Sequence, residues 1–188
     1  MTRRLSNVIG IDDGPFERAH RGDVPIVGAV FALHRLDGMV TGKVRRDGAN
    51  ATARIAEMIE GSAFREHLQC VLLNGIAVAG FNVVDIEALH ARLGLPVLAI
   101  ARRAPDLRAI RRALLTRVPG GARKWRLIER LGPMEPIEGL HVQRVGVGAR
   151  EAAHVIRIHR THGNLPEPLR VAHLLAGALV RGHSHGHA

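Results

Sequence analysis

The first part of the chain alternates between apolar runs and turn signals, a pattern that predicts three neighbouring strands. Residues 8–11 form a short apolar run and residues 25–33 a longer one. A third run at 39–44 follows Asp37-Gly38, a dipeptide typical of hairpin turns. Strands joined by short turns pair antiparallel. The pattern therefore predicts an antiparallel three-stranded unit at the start of the chain.

Beyond residue 48, segments with helical spacing of apolar positions alternate with short, fully apolar runs that are typical of buried parallel strands. Hairpins followed by β–α units predict an α/β fold with a mixed sheet of five or six strands and helices on both faces. The predicted helices are 51–60, 83–93, 105–117, 122–131, 149–160 and 169–181, and the later strands are 70–73, 96–101 and an edge strand at 141–145.

Polar side chains follow two of the predicted central strands. Asp12 and Asp13 come directly after the first apolar run and precede Gly14, and Asn74 closes the run at 70–73. Oxygen ligands on a rigid strand suit hard cations such as Mg²⁺, whereas the ordinary alternative for Asp before Gly is turn chemistry. Because ligands of α/β sheets bind beyond the carboxyl ends of the strands, we expect Asp12 and Asn74 to share one edge.

Composition favours one folded domain. The chain has 188 residues, of which 46% are hydrophobic and 23% charged, so we expect a single domain at 1–181 and a flexible, histidine-containing tail at 182–188.

No apolar run is long enough to span a membrane, and residues 1–4 do not begin a signal peptide. With Cys70 as its one cysteine, the chain fits a reducing cytoplasm. We expect no membrane partner and infer no protein partner. The tail histidines are either solvated or weak Ni²⁺ or Zn²⁺ ligands.

The positive charge is concentrated in one segment. The formal net charge is +10, and residues 101–130 carry +8 of it. Such a segment attracts polyanions, although a solvated helix face has the same composition. The segment predicts a phosphate-contacting wall in which Arg123, Lys124 and Arg126 are the candidate contacts for DNA or RNA. Aromatic residues make up only 3% of the chain, which argues against base stacking on an aromatic platform.

Three motifs together resemble a prokaryotic family called endonuclease dU. They are Gly10-Ile11-Asp12-Asp13-Gly14-Pro15-Phe16, Leu73-Asn74-Gly75-Ile76 and Ala79-Gly80-Phe81-Asn82-Val83-Val84-Asp85-Ile86. The resemblance covers residues 7–179. That family is similar to endonuclease V, so the resemblance implies a ribonuclease H-like fold. It also implies a Mg²⁺- or Mn²⁺-dependent phosphodiesterase that acts on nucleic acid.

Endonuclease V also suggests roles for individual residues. Asp12 matches its first catalytic aspartate, Asn74 stands where its second is expected, and His173 follows a matching segment at 165–172. Phe64-Arg65-Glu66 resembles the segment that carries the catalytic glutamate of endonuclease V. In that enzyme a helix lies between the glutamate and the second aspartate, and too few residues separate Glu66 from Asn74 to form one. Asp47, which precedes the helix predicted at 51–60, is therefore the better equivalent. The resemblance implies a catalytic set of Asp12, Asp13, Asp47, Asn74 and His173, metal ligands Asp12, Asp47 and Asn74, and substrate contacts at Gly80, Phe81 and Asn82.

Two departures from endonuclease V keep alternatives open. Asn74 is a neutral ligand where a carboxylate is expected, and the Pro-Tyr-Ile-Pro-like aromatic wedge has no counterpart. The first hypothesis is a metal-dependent endonuclease that acts at deaminated or modified bases. The second is a non-catalytic nucleic-acid-binding relative in which Asn74 replaces a catalytic Asp. A third is a small-molecule hydrolase that uses the same edge. For Asp85, a charge at a helix N-terminus competes with a catalytic role.

Overall fold

The computed structural model describes residues 5–184, so Met1, Arg4 and the tail histidines His185 and His187 lie outside the described residues. The elements in chain order are β1 (Asn7–Asp13), β2 (Asp23–Ala32), β3 (Arg35–Arg45), α1 (Ala51–Glu60), β4 (Cys70–Asn74), β5 (Ala77–Val78), β6 (Asn82–Val83), α2 (Ile86–Leu93), β7 (Val97–Ala101), α3 (Leu107–Arg117), α4 (Gly121–Leu131), β8 (Glu135–Ile137), β9 (Leu140–Val145), α5 (Ala149–Ile158) and α6 (Glu167–Arg181).

A mixed sheet of seven strands runs through the described residues in the order β3-β2-β1-β4-β7-β9-β8. The three antiparallel N-terminal strands and the parallel β1-β4-β7 centre confirm the predicted α/β architecture. The expected count of five or six strands was too low, because the short β8 pairs outside β9. As a result, β9 is an inner strand rather than the edge. It runs antiparallel to β7.

The first hairpin turns at a different place from the one predicted. Ala32 pairs with Arg35, so Leu33 and His34 form the turn, and Leu33 adopts a left-handed φ of 55°. Asp37-Gly38 lies inside β3, where the register shifts by one residue. A Cβ on Gly38 would lie 2.4 Å from the Phe64 ring. Asp-Gly therefore marks an irregularity in the strand that accommodates Phe64, and the turn prediction was wrong.

Two apolar cores lie on opposite faces of the sheet, since successive residues of a strand point to opposite sides. Ile9 and Leu73 pack with buried residues of α1 and α2, whereas Val8 and Leu72 pack with residues of α5 and α6. Helix α2 begins at Ile86, three residues later than predicted, because residues 82–83 are in β6 instead. Within residues 5–184, no helix combines the length and apolarity needed to cross a membrane.

Most of the basic segment forms a helical hairpin at the side of this body. Helices α3 and α4 pack on each other, and α4 also packs against β6. Val83, Leu114 and Ile128 form the small core beneath them. This arrangement leaves most arginines of α3 and α4 exposed to solvent.

Helix α6 lies along β1 at unusually close range. A Cβ on Gly10 would lie 2.3 Å from the carbonyl carbon of Pro168, so only glycine allows this approach. The helix begins at Glu167 with Pro168 in its first turn, where a missing backbone N–H costs nothing. This packing determines where the α6 side chains meet the end of β1.

Candidate active site at the carboxyl edge of the sheet

Asp12 is the centre of the candidate site. It is only 4% exposed, and its carboxylate lies on the α6 face at the end of β1. Its Oδ1 accepts the Asp13 N–H at 2.9 Å. Its Oδ2 accepts the Asn74 Nδ2–H at 3.0 Å and lies 2.7 Å from Nδ1 of His173. Side chains from β1, β4 and α6 therefore meet on one carboxylate.

The contact between Asp12 and Asn74 follows from strand pairing. Gly10 pairs with Leu72 and Ile11 with Leu73, so the two strands end side by side. Asp12 and Asn74 are each two residues beyond a pair that faces α6, and the alternation of strand side chains brings both back to that face. The prediction that both residues share one edge of the sheet is therefore confirmed.

Asp13 points to the other face of the same strand end. Burial and the neighbouring charge of Asp12 raise the pKa of Asp13 to about 6, although its interaction with the backbone of Ala79 works in the opposite direction. Two carboxylates crowded at one strand end concentrate negative charge, which favours a bound proton or cation.

His173 lies on α6, and its hydrogen bond with Asp12 orients its imidazole ring. The hydrogen bond raises the pKa of His173 above its ordinary value, while partial burial and the positive charge of Arg102 act in the opposite direction. The ring is half-exposed, with 43% of its side-chain surface accessible. Its Nδ1 faces Asp12, so the rest of the imidazole faces the adjoining pocket.

Asp47 lies on the Asp13 side, and hydrogen bonds hold its backbone and one of its two carboxylate oxygens. It has a left-handed φ of 50°, its N–H donates to the Ala79 carbonyl at 2.9 Å, and its Oδ1 accepts the Phe81 N–H at 2.8 Å. Oδ2 lies 3.2 Å from Nε of Arg46. The structure thus links Asp47 to Asp13 through Ala79 and does not bring it into the Asp12–Asn74–His173 cluster.

Lys124 completes the support of Asp47. It is only 4% exposed, and its Nζ donates to the Asp47 carbonyl at 2.5 Å. Burial lowers the pKa of Lys124, and the charge of Asp47 partly offsets that effect. The structure therefore places this predicted phosphate contact in the interior, where it braces the loop that carries Asp47.

The predicted substrate contacts at residues 80–82 have different surroundings. Gly80 is exposed, with φ of 84°, and a Cβ there would lie 2.5 Å from Oδ1 of Asp47. Asn82 is fully buried. Its Oδ1 accepts the Ala51 N–H, and its Nδ2 donates to the Arg45 carbonyl and to Asn50. Asn82 thus fastens α1 and β3 to the loop, and only Gly80 and the partly exposed Phe81 offer surface.

An open pocket of about 500 Å³ adjoins the cluster and reveals two candidates that the sequence did not single out. Asn74, Gly75 and His173 line it together with Arg102 and Arg103, which follow β7 directly. Both arginines are exposed. They were visible in the sequence as part of the basic segment, but only the parallel pairing of β4 and β7 places them beside Asn74.

The remaining candidates lie away from the cluster. Arg123 and Arg126 are exposed on α4. Glu66 is exposed and precedes β4; the nearby Gln69 accepts N–H groups at the amino end of β1, so Glu66 is near the opposite edge of the sheet from Asp12. Asp85 accepts the Ala88 N–H as the N-cap of α2 and pairs with Arg130. This geometry accounts for Asp85 as a helix cap.

The donor chemistry at the strand end fits one hard divalent cation. Asp12 offers carboxylate oxygens on the α6 face, and Asp13 adds a second carboxylate on the other face of the same strand end. Burial, together with the charge of Asp12, raises the pKa of Asp13. Among residues 5–184, no group of three or more His, Cys, Asp or Glu side chains is arranged to hold a metal. The amide oxygen of Asn74 is therefore needed as a further ligand, and Asn74 would have to turn its amide, which now donates to Asp12.

Comparison with known proteins identifies the family. The sequence profile described as endonuclease dU matches residues 4–180, which is nearly the whole chain. The chain belongs to the endonuclease dU family. A UPF0215 protein of Deinococcus radiodurans is 58% identical over 183 residues, which cover 97% of this chain and 93% of the relative. A UPF0215 protein of Methanothermobacter thermautotrophicus is 43% identical over 185 residues, with coverage of 96% and 91%.

Solved structures show how the endonuclease dU fold relates to others. A protein of unknown function from Archaeoglobus fulgidus superposes with a TM-score of 0.85 at 29% identity, covering 96% of this chain and 99% of that one. The catalytic domain of human endonuclease V gives a TM-score of 0.59 at 15% identity, covering 95% and 84%. The fold is therefore the ribonuclease H-like fold of endonuclease V, as the sequence motifs implied.

Structural relatives have also been solved with nucleic acid. Endonuclease V of Ciona intestinalis, in complex with a 24-nucleotide DNA that contains an inosine followed by a ribo-adenosine, superposes with a TM-score of 0.52 at 15% identity. The superposition covers 90% of this chain and 83% of that one. At this level of identity the likeness to this endonuclease dU protein is a likeness of fold.

Proposed function

We propose that this protein is a metal-dependent phosphodiesterase that cleaves nucleic acid, with its active site at the Asp12–Asn74–His173 cluster. The observation that carries the proposal is the meeting of these three side chains on one buried carboxylate, beside a pocket that Arg102 and Arg103 line. Acidic and basic groups side by side suit a reaction at a phosphate, because the arginines attract the anion and the carboxylates hold a cation.

Asp12 and Asn74 would hold Mg²⁺ or Mn²⁺ in this proposal, and Asp13, on the other face of the same strand end, adds negative charge nearby. When bound, such a cation activates water and stabilises charge on the leaving oxygen. Asp47 was expected to be a ligand, but its N–H and Oδ1 bind the loop at 79–81, and its Oδ2 lies beside Arg46. We therefore assign it to positioning Ala79 and, through Ala79, the carboxylate of Asp13.

The side chains of the chain itself have separate roles. Asp12 accepts a hydrogen bond from Nδ1 of His173 and so directs Nε2 towards the pocket. From there Nε2 donates a proton or hydrogen bond to a phosphate oxygen. Arg102 and Arg103 hold the phosphate against the cluster by charge and by guanidinium hydrogen bonds. Arg123 and Arg126 extend the positive surface onto α4 and bind more distant phosphates.

The base at which the protein cleaves is inferred from its structural relatives. Its fold is that of endonuclease V, and the Ciona intestinalis enzyme was solved on DNA with an inosine. We therefore infer that deaminated bases are the first substrates to test.

Asn74 favours a second candidate function, which is binding of nucleic acid without cleavage. Its amide donates to Asp12 at a position where the resemblance to endonuclease V implies a carboxylate. A neutral ligand weakens the attraction for a cation. A nucleic-acid-binding protein without cleavage activity would retain the arginines and the pocket unchanged.

Cleavage of labelled single- and double-stranded DNA and RNA, with and without inosine or uracil, separates the two functions. We expect cleavage that requires Mg²⁺ or Mn²⁺ and that Asp12→Asn reduces by at least about a hundredfold, because a ligand of the cation is removed. The matched control is Asp106→Asn, at the exposed N-cap of α3. If the wild type binds the same substrates but cleaves none in either metal, the second function replaces the first.

A further inference from the structure

A second pocket, of about 460 Å³, lies beside the chain that follows β1. Flat or compact apolar side chains form much of its lining, among them Pro15, Phe16, Pro25 and Val180. The pocket is anchored to the end of β1, since the Gly14 N–H donates to the Pro25 carbonyl at 2.8 Å. It therefore has a fixed position relative to Asp12.

The course of α6 places this pocket within reach of a strand bound at the cluster. His173 contacts Asp12, and Val180 stands seven residues later on α6. Val180 lies close to Gly14, because a Cβ added to Gly14 would be 2.7 Å from its side chain. Seven residues span about 10 Å of helix, which is roughly three nucleotide steps of a stacked strand at 3.4 Å each. A nucleotide near the one that reacts is therefore the natural occupant.

The polar groups of the pocket decide which part of a nucleotide it accepts. Two acidic residues, Glu17 and Asp23, are among its lining, and Oδ1 of Asp23 lies 3.9 Å from Nη1 of Arg45. Nε2 of His20 is 3.0 Å from the Asp23 carbonyl. Carboxylates repel a phosphate, but they accept hydrogen bonds from the N–H groups at the edge of a nucleobase. An apolar lining with acceptors thus suits a base better than it suits the phosphate backbone.

Phe16 lines the pocket with an aromatic ring, which makes it the candidate surface for a stacked base. The ring also packs against the core that includes α1 and α2. The guanidinium of Arg46 lies over the ring, 5.3 Å from its centroid. Arg46 is itself fixed, because its Nη1 donates to the carbonyls of Arg18 and His20. The ring is therefore held in one orientation beside the pocket, so little conformational entropy is lost when a base stacks on it.

We propose that this pocket binds an unstacked nucleobase of the strand held at the active site, with Phe16 as the stacking surface. The inference rests on the proposed function, because it requires that the strand lie along the Asp12 edge. It narrows the substrate to single strands or to duplexes opened near the reaction site, since a paired and stacked base cannot enter a pocket of this kind.

The test compares two fluorescent single strands in buffer without divalent metal. One carries ordinary bases, and the other has the same phosphates but abasic sugars. We expect the wild type to bind the first more tightly, and Phe16→Ala to weaken that binding by about 5- to 100-fold while leaving the abasic strand unaffected. Phe16→Leu, which keeps an apolar side chain, should lose most of the same preference.

Leu36→Ala, which shortens an exposed apolar side chain on β3, is the matched control and should change neither affinity. Should Phe16→Ala fail to fold, Phe16→Leu and a wild-type scan with 2-aminopurine still decide the question. The scan should show one position whose fluorescence changes when the strand binds. Equal wild-type affinity for both strands, with no effect of Phe16, overturns the pocket alone. Absence of binding to either strand overturns the proposed function as well.

Discussion

Asn74 faces Asp12 across 3.0 Å, and its amide supplies the hydrogen bond that a carboxylate could not. We expect Asn74→Asp to place two carboxylates in contact and to lower the melting temperature in EDTA, at a cost of roughly 1–3 kcal/mol. Added Mg²⁺ should restore more stability to this variant than to the wild type, because a bound cation joins the two charges. Thermal melts across a Mg²⁺ titration measure both effects.

Asn164→Asp, in an exposed loop, is the control for Asn74→Asp and should melt like the wild type in both buffers. If Mg²⁺ stabilises the Asn74→Asp variant no more than it stabilises the wild type, position 74 is not a cation ligand. This test is independent of activity, so it applies equally to the catalytic and the non-catalytic function.

His159 gives the fold a pH dependence of defined sign. Its ring is fully buried between the carbonyls of Val155 and Ser6, and burial lowers the pKa of His159, which these two carbonyls only partly offset. Below pH 6.5 the unfolded chain takes up a proton that the folded chain resists, so this contribution is complete above that pH and is lost as the pH falls.

We therefore expect His159→Gln to make the free energy of unfolding less dependent on pH between 7 and 5. The limit for a single group is about 1.4 kcal/mol per pH unit. Urea denaturation at both pH values gives the difference. The exposed His67, changed to Gln, should leave the wild-type pH dependence intact. An identical slope in His159→Gln would show that another group titrates with folding.

Helix α6 depends on a single glycine for its distance from β1. Gly10→Ala would place a Cβ 2.3 Å from the backbone carbonyl carbon of Pro168, and backbone cannot move aside as a flexible side chain can. We expect a loss of at least about 1–3 kcal/mol and a displaced His173, hence weaker cleavage even where the protein still folds. Gly177→Ala is the control on the same helix, with nothing within 4 Å of the new Cβ. It should be neutral or stabilising by up to about 1 kcal/mol.

Melts of both glycine variants, together with their cleavage rates, test this account of α6. A Gly10→Ala protein that is as stable and as active as the wild type would mean that the helix adjusts without moving His173. The prediction that α2 starts at residue 83 was wrong because residues 82–83 pair with β5. This tertiary pairing overrides the helical spacing of apolar residues in the sequence.

The charge of the whole molecule is positive, but its distribution decides where nucleic acid binds. The structure divides the basic segment into Arg102 and Arg103 at the pocket, Lys124 in the interior, and the exposed arginines of the α3–α4 hairpin. Changing Arg102 and Arg103 to Gln should reduce the salt dependence of binding by about 0.7–0.9 logarithmic units for each phosphate that the variant no longer neutralises.

Arg150, exposed at the start of α5, provides the control, because β9 ends at the opposite edge of the sheet from Asn74. Arg150→Gln should leave the salt dependence close to that of the wild type. Arg123→Gln with Arg126→Gln then tests whether the path continues onto α4. Fluorescence anisotropy over a salt series measures all three. If Arg102 and Arg103 can be replaced without effect on the slope, the phosphates follow another path.

The sequence by itself determined the antiparallel start, the parallel centre, the family, and the location of Asp12 and Asn74 at one edge. These features depend on local patterns: apolar runs, strand-end polar residues and motif spacing. Only the tertiary structure decided which groups are available for chemistry. It buried Lys124, joined Asp47 and Asn82 to neighbouring segments by hydrogen bonds, and brought Arg102 and Phe16 to pockets. The physical reason is that burial and hydrogen-bond saturation depend on contacts between residues far apart in the chain, which no local pattern encodes.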